Sequence, residues 1–457
     1  MIQEQPIIVG LDIGTTKIAA IAGRKNEFGK LEILGFGLAS SNGVQHGMVL
    51  NIDQTIKAIE TALKNCYDSN PGLEINEVYV GIAGHHIKSL QTRGDMVRRI
   101  TDDEIKQFEI DQLIADQYKT YIPAGDQIID VIPQEYTVDN IQNISDPIGY
   151  TGVKVGANFH IITGDRNAIR NINRSVEKAG LKVKDLMLQP LASSAAVMSE
   201  QDIEAGIAIL DIGGGTTDLA VFHEGILKHT AVIPFGGENI TNDIKMGLGV
   251  LKTQAERMKV QFGSALADHA QTNAFVKIPG LRGLPAREIS VKNLASIIQA
   301  RMSEILAFVT FHLKQVGLDN KMLNGGIVLT GGGSQLKHLI QLTEYATGLN
   351  ARLGYPNEHL ASNHISELEK PMYATCIGLI LKGYNIYESN HKRLYPDEQR
   401  ILVKPLQKET PDPVVNIGEP EKQDVVKKGK TLKDLMDSMK HGLIDLFKEE
   451  VDTKFKQ

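Results

Sequence analysis

Two short stretches of the chain combine an aspartate, glycines and threonines in the same order. The first is Asp12-Ile13-Gly14-Thr15-Thr16-Lys17, and the second is Asp211-Ile212-Gly213-Gly214-Gly215-Thr216-Thr217-Asp218. An aspartate oxygen can hold a hydrated Mg²⁺ ion. Glycine lets backbone N–H groups approach phosphate oxygens closely, and threonine hydroxyls add short donors. Because each stretch could hold phosphate groups and their magnesium ion, the pair predicts a nucleotide cleft between two facing copies.

Apolar runs on both sides of each stretch predict that the stretch is the turn of a hairpin. Residues 7–11 and 206–210 have the shortness and β-branched content of buried strands, and residues 18–21 and 219–222 follow the turns directly. A Walker loop opens a helix instead, and no such loop is present. A glycine–threonine hairpin is also ordinary turn chemistry, so either copy alone leaves both interpretations open. Two copies in phase favour a duplicated nucleotide site.

A third glycine-rich stretch follows another apolar run. Residues 325–334 read Gly-Gly-Ile-Val-Leu-Thr-Gly-Gly-Gly-Ser, which predicts a strand that ends in Gly331, Gly332 and Gly333. Residues 335–340 are predicted to continue as a helix. Because three consecutive glycines leave the backbone uncovered, a flat ring could lie against it.

These motifs, in this order, resemble the phosphate 1, phosphate 2 and adenosine motifs of the actin-like ATPase superfamily, which includes actin, hexokinases and heat-shock chaperones. Residues 189–197 and 374–380 are similar to the two helices that connect the halves of those proteins. The resemblance implies an α/β fold: two lobes of duplicated ribonuclease H-like architecture. It also implies ATP and Mg²⁺ as ligands.

Within the superfamily the chain resembles the FtsA family of bacterial cell-division proteins. The similar segments lie at residues 81–87, 93–105, 234–244 and 298–305. The resemblance implies an inserted small α+β subdomain, polymerisation into actin-like filaments, and binding of the C-terminal tail of FtsZ. It further implies attachment to lipid through a C-terminal helix, recruitment of later division proteins by the inserted subdomain, and a location at the division septum on the cytoplasmic face of the inner membrane.

The resemblance also implies roles for individual residues. Asp12, Asp211 and Gln189 would be catalytic, and both aspartates would hold Mg²⁺ through water. Arg282, Arg287 and Arg301 would bind the FtsZ tail, although such charges are more often a solvated helix face. The nucleotide would be bound by the glycines, threonines and lysine of the motifs: Gly14, Thr15, Thr16, Lys17, Gly213, Gly214, Gly215, Thr216, Thr217, Gly236, Gly237, Gly331, Gly332 and Gly333.

The chemistry of Lys17 and Gln189 bears on whether they bind phosphate and act on water. Lys17 is either a phosphate ligand or a solvated turn residue, and its place directly after two threonines favours the ligand. Gln189 has an amide that can orient water but cannot take a proton, so hydrolysis is expected to be slow and closure of the cleft is expected to be the nucleotide's main effect.

The predicted organisation follows the duplication. Residues 1–84 form the core of the first lobe, 85–162 the inserted subdomain, and 163–194 the return to the first lobe with the first hinge helix. Residues 195–373 form the second lobe, with an outer subdomain at about 238–300, and residues 374–395 form the second hinge helix. Helices are expected at about 53–67 and 167–179.

The C-terminal part differs in character. Residues 396–430 contain five prolines among charged residues and are predicted to be a disordered linker. Residues 431–457 regain helical periodicity, and the predicted helix has one apolar stripe. Its proposed membrane residues are Leu435, Met436, Met439, Leu443, Leu446 and Phe447. Packing of this stripe on protein remains the alternative.

Composition is compatible with this interpretation. A chain of 457 residues with 42% hydrophobic content can form two sizeable cores. A net charge of −6 argues against a nucleic-acid surface, which needs clustered basic side chains. Two distant cysteines and the lack of a signal-peptide pattern indicate the cytosol. No run approaches the ~20 apolar residues that span a bilayer.

Three alternatives come from other classes of actin-like protein. A pilus-assembly ATPase would share the inserted subdomain but end without a tethered helix. A sugar kinase would need an acidic base and sugar-binding residues, for which no candidate stands out. A chaperone would need a C-terminal peptide-binding domain, for which the last sixty or so residues are too few.

Overall fold

The first lobe is built around the strands that flank the first glycine-rich turn. The computed structural model describes residues 5–99, 103–271, 273–279, 285–315, 317, 322–362 and 365–392. The predicted linker, the predicted tail helix and Arg282 lie outside these residues. The first elements are β1 (Ile8–Ile13), β2 (Lys17–Lys25), β3 (Leu31–Ser40), β4 (Val44–Gln45), β5 (Met48–Val49), α1 (Ile52–Ser69) and β6 (Glu77–Ile82).

The inserted subdomain is a four-stranded antiparallel sheet covered by one helix. Its elements are β7 (Lys88–Val97), α2 (Gln107–Gln117), β8 (Asp126–Val138), β9 (Ile141–Ile144) and β10 (Lys154–Asp165), and the strand order is β7-β10-β8-β9. Its small core includes Ile105, Leu113 and Phe159. The buried guanidinium of Arg98 donates hydrogen bonds to both carboxylate oxygens of Glu109, at 2.9 and 3.2 Å, and so holds the start of α2 against β7.

The chain then returns to the first lobe and completes its sheet. The elements are α3 (Arg166–Lys178), β11 (Lys182–Leu188) and α4 (Gln189–Val197). The strand order of the first sheet is β11-β6-β1-β2-β3, in which β1 pairs antiparallel with β2 and parallel with β6. Asp165 caps α3, because its side chain accepts hydrogen bonds from the backbone N–H groups of Asn167 and Ala168.

The second lobe repeats this design. The elements are α5 (Glu200–Ala205), β12 (Ile207–Ile212), β13 (Thr217–His223), β14 (Ile226–Ile233), α6 (Gly237–Leu248), α7 (Lys252–Phe262), β15 (Phe275–Ile278), β16 (Arg287–Ser290), α8 (Val291–Gln315), β17 (Gly326–Thr330), α9 (Leu339–Thr347), β18 (Ala351–Leu353) and α10 (Ala374–Lys392). The sheet order is β14-β13-β12-β17-β18, and β12 pairs antiparallel with β13 and parallel with β17. Both lobes therefore centre on a hairpin with a parallel strand beside it.

Helices α4 and α10 cross between the lobes in close contact. A Cβ atom built on Gly378 would lie 1.8 Å from the carbonyl oxygen of Ala192, so only glycine permits this approach. The surrounding core draws side chains from both sheets, among them Ile21 and Ile209. The two lobes thus share one apolar centre next to the two turns.

The inserted subdomain also contacts β14 of the second lobe. Lys228 pairs with Glu135 at 2.7 Å, and the Gln134 side chain donates a hydrogen bond to the Leu227 carbonyl oxygen at 2.6 Å. The buried His160 ring lies 3.3 Å from the Thr230 hydroxyl. The subdomain therefore links the first lobe, into which it is inserted, to β14 of the second lobe.

The helix predicted for residues 335–340 is wrong in extent. A 3₁₀ turn covers Gly332–Gln335, after which Leu336 is extended, His338 is left-handed with φ of 61°, and α9 begins only at Leu339. A tertiary contact explains why no helix forms at residues 336–338: the Lys337 carbonyl oxygen accepts a hydrogen bond from Ala265 N at 2.8 Å. The other two predicted helices are present as α1 and α3.

Among the described residues, α8 is the one helix whose length and composition would allow it to cross a membrane. A helix in the core of a folded protein can have the same length and composition. The side of α8 that carries Leu294, Ile298 and Ile305 packs in the core of the second lobe. Helix α8 is therefore a core helix of the second lobe.

Candidate functional site

The two glycine-rich turns have the same hydrogen-bonded geometry. Gly14 N donates to the Lys17 carbonyl oxygen at 3.0 Å, and Gly213 N donates to the Thr216 carbonyl oxygen at 2.9 Å. A Cβ atom on Gly14 would lie 2.9 Å from that same Lys17 oxygen. The first turn therefore depends on glycine where the chain reverses, and the second leaves little room for a Cβ atom at Gly213, 3.2 Å from the Thr216 carbonyl oxygen.

The turns face and contact each other. A Cβ atom on Gly214 would lie 2.4 Å from the Thr16 methyl group, and one on Gly215 would lie 2.5 Å from Thr15 Oγ1. The segment after β4 joins this contact, since His46 Nδ1 lies 3.1 Å from the Gly215 carbonyl oxygen. The cavity beside the turns has a volume of about 210 Å³. Phosphate groups placed here would be reached from both lobes.

Most of the predicted nucleotide residues lie around this cavity. Those that line it are Asp12, Gly14, Thr15, Thr16, Lys17, Gln189, Asp211, Gly213, Gly214, Gly215, Thr216, Gly331 and Gly332. Six further residues line it that the sequence interpretation did not assign to the site: Ile13, Leu38, Gly47, Asp218, Met372 and Thr375.

Four predicted ligands lie behind the second turn instead of on the cavity wall. The Thr217 hydroxyl donates to the Phe235 carbonyl oxygen at 2.9 Å, and Gly237 N donates to the Gly213 carbonyl oxygen at 2.9 Å. A Cβ atom on Gly236 would lie 2.7 Å from the same Gly213 oxygen, and one on Gly333 would lie 2.5 Å from the Ile212 side chain. These residues hold the turn in place.

Asp12 is buried at the end of β1 and receives a hydrogen bond from the helix that crosses between the lobes. The Nε2 atom of Gln189 donates to Asp12 Oδ1 at 2.9 Å. Burial raises the pKa of Asp12 to about 6, the positive charge of Lys17 lowers it, and the negative charge of Asp211 raises it further. Keeping the buried Asp12 side chain ionised therefore costs free energy, and a nearby cation would reduce that cost.

Asp211 ends β12 and is fixed by two hydroxyl groups. Ser193 Oγ donates to Asp211 Oδ2 at 2.6 Å, and Thr375 Oγ1 donates to the same oxygen at 3.0 Å. Burial raises the pKa of Asp211, and these two hydrogen bonds oppose the rise. Because Ser193 belongs to α4 and Thr375 to α10, both crossing helices hold this carboxylate.

Asp218 is a third carboxylate in the cleft, and it is only 2% exposed. Thr216 Oγ1 donates to its Oδ2 atom at 3.1 Å, whereas Oδ1 is buried without a hydrogen-bond partner. Burial raises its pKa well above the usual value, and the charges of Asp211 and Asp12 add to the rise. Its place at the end of the second glycine-rich stretch was the signal that could have assigned it to the site.

Lys17 points across the cleft toward the start of α10. Its Nζ atom donates to the Met372 carbonyl oxygen and lies 4.5 Å from the centre of the Tyr373 ring. The ammonium group is therefore placed among cleft residues and is not a solvated turn charge. A cation–π contact of this kind keeps the side chain directed inward.

The three glycines after β17 have different surroundings. Gly331 has a φ of 82°, and a Cβ atom on it would lie 2.3 Å from Asp211 Oδ1. Gly332 has open space, with the Met372 Cβ atom 3.9 Å away. Of the three, only Gly332 leaves backbone uncovered next to the cavity, whereas Gly331 lets the chain pass close to Asp211.

Arg287 and Arg301, two of the residues expected to bind a partner, do not line the cavity. Arg287 Nη1 donates to the Gly249 carbonyl oxygen at 2.9 Å. The Arg301 guanidinium makes two hydrogen bonds to Asp243, at 2.6 and 3.0 Å, and one to Glu304 at 2.5 Å. It also lies 5.5 Å from the Phe235 ring centre. Arg301 thus joins α8 to α6, which the sequence interpretation did not foresee.

Comparison with known proteins decides the family. The sequence model "Cell division protein FtsA" matches residues 208–378, and the model "SHS2 domain inserted in FTSA" matches residues 84–163. Over 382 residues the chain is 36% identical to Cell division protein FtsA of Pseudomonas aeruginosa, which covers 84% of this chain and 90% of that protein. The chain belongs to the FtsA family. For FtsA of Neisseria meningitidis the identity is 39% over 380 residues, covering 83% and 91% of the two chains.

More distant FtsA proteins and solved structures agree with this assignment. Escherichia coli FtsA is 33% identical over 387 residues, covering 83% of this chain and 91% of that one. The PilM-PilN type IV pilus biogenesis complex superposes with a TM-score of 0.61 at 16% identity, over 82% and 98% of the two chains. MreB 5 of Spiroplasma citri bound to AMPPNP superposes with a TM-score of 0.53 at 13% identity, over 85% of this chain and 99% of that one. The chain therefore has the actin-like fold of a cell-division protein.

Proposed function

We propose that this FtsA-family chain binds Mg·ATP between its two glycine-rich turns and assembles into actin-like filaments at the cytoplasmic membrane. There it tethers the FtsZ ring and recruits later division proteins at the septum. The observation that carries nucleotide binding is the pair of facing turns with Asp12 and Asp211 beside them. The fold shared with MreB 5, whose structure contains AMPPNP, supports the same ligand.

The chemistry of the cleft residues fits a phosphate-bound magnesium ion. Asp12 and Asp211 offer the oxygen ligands that Mg²⁺ prefers, and a cation would relieve the electrostatic cost of burying them. Among the described residues no group of three or more His, Cys, Asp or Glu side chains could hold a bare metal ion. We therefore assign the remaining ligand positions to water and phosphate. Bound Mg²⁺ would supply charge neutralisation at the phosphates.

The other cleft residues have separate tasks in this proposal. The backbone N–H groups and threonine hydroxyls of both turns donate to phosphate oxygens. Lys17 adds one positive charge, and Gly332 leaves room for the adenine ring to lie against the backbone. Because the amide of Gln189 donates to Asp12 and cannot accept a proton, it provides no base, and hydrolysis is slow.

The proposed FtsZ site lies between α6 and α8. Arg301 is 22% exposed in its side chain and is already bound to Asp243 and Glu304. An acidic tail peptide therefore competes with these two carboxylates, and it can also contact the exposed Phe308 and Met246. A charge-assisted hydrogen bond to Arg301 would be worth roughly 1.5–3 kcal/mol.

Attachment to lipid rests on the sequence of residues 431–457, which lie outside the described residues. Residues 427–457 carry eight lysines and six acidic residues, so the segment has a net charge of 8 − 6 = +2. Attraction to anionic lipid is weak, and binding must depend mainly on the apolar stripe. One tail then binds reversibly, and many tails aligned on a filament bind firmly through effective concentration.

Calorimetric titration with Mg·ATP tests the nucleotide site directly. Wild-type protein should bind with a stoichiometry of about one, and Asp211→Ala should lose affinity because it removes a carboxylate held by both crossing helices. Asp202→Ala provides the matched control, since Asp202 caps the short α5 and pairs with Arg352 away from the cleft. Equal affinity in wild type and Asp211→Ala would contradict the site.

A further inference from the structure

We propose that the exposed face of α3 binds anionic lipid headgroups and holds the first lobe against the bilayer. This inference rests on the proposed attachment to lipid through residues 431–457 and adds a second contact, made by the folded domain. The residues that carry it are basic, exposed and spaced four apart: Arg166, Arg170, Arg174 and Lys178. Because residues four apart lie on one side of a helix, these side chains form a basic stripe about 18 Å long.

The basic stripe has the opposite charge to the chain as a whole. Helix α3 contains four basic residues and one acidic residue, Glu177, so its net charge is 4 − 1 = +3, whereas the whole chain has a net charge of −6. The side chains of Arg170, Arg174 and Lys178 make no hydrogen bond or ion pair with other described residues. Their positive charge is therefore available to a ligand from solution.

The stability of α3 does not account for the basic stripe. The opposite face of the helix carries Ile169, Ile172 and Val176, which pack in the core of the first lobe. Like charges four residues apart repel each other and destabilise a helix. In the last turn Lys178 gains from the helix dipole, but Arg170 lies two turns earlier and does not. An anionic ligand would remove this repulsion.

Helix α3 ends at the edge of the first sheet from which the C-terminal part of the chain departs. Strands β1, β6 and β11 are parallel, so all three begin at one edge. Lys178 lies four residues before β11 begins. At the same edge α10 passes the start of β1, because the Tyr384 hydroxyl donates to the Pro6 carbonyl oxygen, and α10 ends at Lys392. The basic stripe and the chain that leads to the predicted tail helix therefore meet at one edge.

This position favours a bilayer over an acidic protein or a nucleic acid as the ligand. The predicted linker, residues 396–430, would span roughly 30–35 Å as a disordered chain, so the tail helix and the basic stripe can reach the same bilayer. Residues 427–457 have a net charge of only +2 and attract anionic lipid weakly. Each basic side chain held near an anionic surface adds about fivefold in affinity. The planar guanidinium groups of Arg170 and Arg174 also match phosphate oxygens in a bidentate manner.

Co-sedimentation with two kinds of vesicle tests the proposal on the full-length protein. One kind contains phosphatidylcholine alone, and the other contains phosphatidylcholine mixed with anionic phosphatidylglycerol. The variant combines Arg170→Gln with Arg174→Gln, which keeps the helix propensity and removes two charges. Its affinity for the mixed vesicles should fall about tenfold or more, whereas its affinity for the neutral vesicles should stay within about twofold of wild type.

The matched control removes two charges from the second lobe. It combines Lys245→Gln with Arg257→Gln, at exposed positions of α6 and α7, and should bind both kinds of vesicle as wild type does. Melting temperatures of both variants should equal that of wild type. High salt should bring wild type and the α3 variant to the same affinity for mixed vesicles, because it screens exposed charges, while the tail keeps both proteins bound.

The outcomes separate this inference from the proposed attachment through the tail. If wild-type protein binds neither kind of vesicle, attachment to lipid fails and the inference fails with it. If wild type binds both kinds equally, or the α3 variant binds mixed vesicles as tightly as wild type, the tail remains an anchor but the role of α3 is refuted, and an acidic protein becomes the better ligand. An equal loss in the control variant would assign the effect to net charge and would also overturn the inference.

Discussion

The side-chain amide of Gln189 donates a 2.9 Å hydrogen bond to Asp12 Oδ1 and so joins the first residue of α4 to the end of β1. The same strand end faces Asp211, which α4 holds through Ser193. One helix therefore carries a donor for a carboxylate of each lobe. A shift of α4 along its axis would change the surroundings of both aspartates at once, so the proposed nucleotide would have a route to the relative position of the lobes.

Replacing Gln189 by leucine should lower the stability of the nucleotide-free protein. The substitution leaves a buried carboxylate oxygen without this donor, at a cost of roughly 1–3 kcal/mol. Differential scanning fluorimetry should show a lower melting temperature. Gln107→Leu is the control, because Gln107 makes an amide–carboxylate hydrogen bond to Asp111 on an exposed helix. Equal melting temperatures for the two variants would refute the importance of the buried contact.

Gly332→Val should weaken Mg·ATP binding without unfolding the protein. A Cβ atom at this position has 3.9 Å to its nearest neighbour, so valine fits the nucleotide-free structure and occupies the space proposed for adenine. Gly72→Val is the control, since Gly72 has comparable space on a surface turn. Calorimetry and circular dichroism measure the two properties. Wild-type affinity in Gly332→Val would remove adenine from this place.

Arg301→Gln should weaken binding of an FtsZ tail peptide about tenfold or more, because a charge-assisted contact is lost. Replacement by glutamine is a better test than replacement by glutamate, because glutamate at position 301 would put a third carboxylate beside those of Asp243 and Glu304. Fluorescence anisotropy with a labelled peptide gives the affinity. Lys292→Gln, on the same helix and paired only at 3.9 Å with exposed Asp268, should have little effect. A peptide that binds both variants equally well would exclude Arg301 as a contact.

Leu443→Glu combined with Phe447→Glu should release the protein from lipid vesicles. At ~100° per residue both positions would fall in the predicted apolar stripe, whose burial is proposed to supply most of the binding. The control variant carries Ser438→Glu and His441→Glu, which add the same charge on the polar side of the predicted helix. It should bind vesicles more strongly than the variant with Leu443→Glu and Phe447→Glu. Co-sedimentation with vesicles separates them. Detachment of wild type by moderate salt would show that charge, and not apolar burial, dominates.

Acid should weaken the contact between the inserted subdomain and β14. Burial lowers the pKa of His160 and of His229 to about 4. The charge of His229 lowers the pKa of His160 further, and the charge of His312 does the same to His229. A histidine whose folded pKa lies below its unfolded value of about 6.5 gives stability that is complete above pH 6.5 and declines as the pH falls toward 4.

Thermal melting at pH 7.5 and pH 5 measures this effect. His160→Gln should show a smaller loss of melting temperature between the two conditions than wild type, because one of the titrating rings is absent. The comparison cancels the opposite contribution of Asp12 and Asp218, whose raised pKa values favour the folded state as the pH falls. An identical loss in both proteins would place the acid sensitivity elsewhere.

The features that could be predicted from the sequence are those that depend on residues close together in the chain. The turns at Gly14 and Gly213 follow from residue types within a few positions, and the strands around them follow from short apolar runs. The break at His338 depends on a hydrogen bond to a backbone N–H at Ala265, far away in the sequence. The partner of Arg301 is Asp243, 58 residues earlier, and no periodic pattern connects the two. Contacts of this kind are made by the fold and cannot be derived from local propensity.

The packing of α10 on β1 has a consequence for how the chain is made. Cys376 Sγ donates to the Gly10 carbonyl oxygen at 3.2 Å, and Tyr384 donates to the Pro6 carbonyl oxygen, so the first strand receives its cover from the end of the described chain. Gly10 and Cys376 are 366 positions apart, and synthesis of that length takes roughly 20–70 s at ~5–20 residues per second. The first lobe leaves the ribosome first but lacks the cover of α10 until the end of the described chain is made, so its sheet stays open to intermolecular contacts during that time.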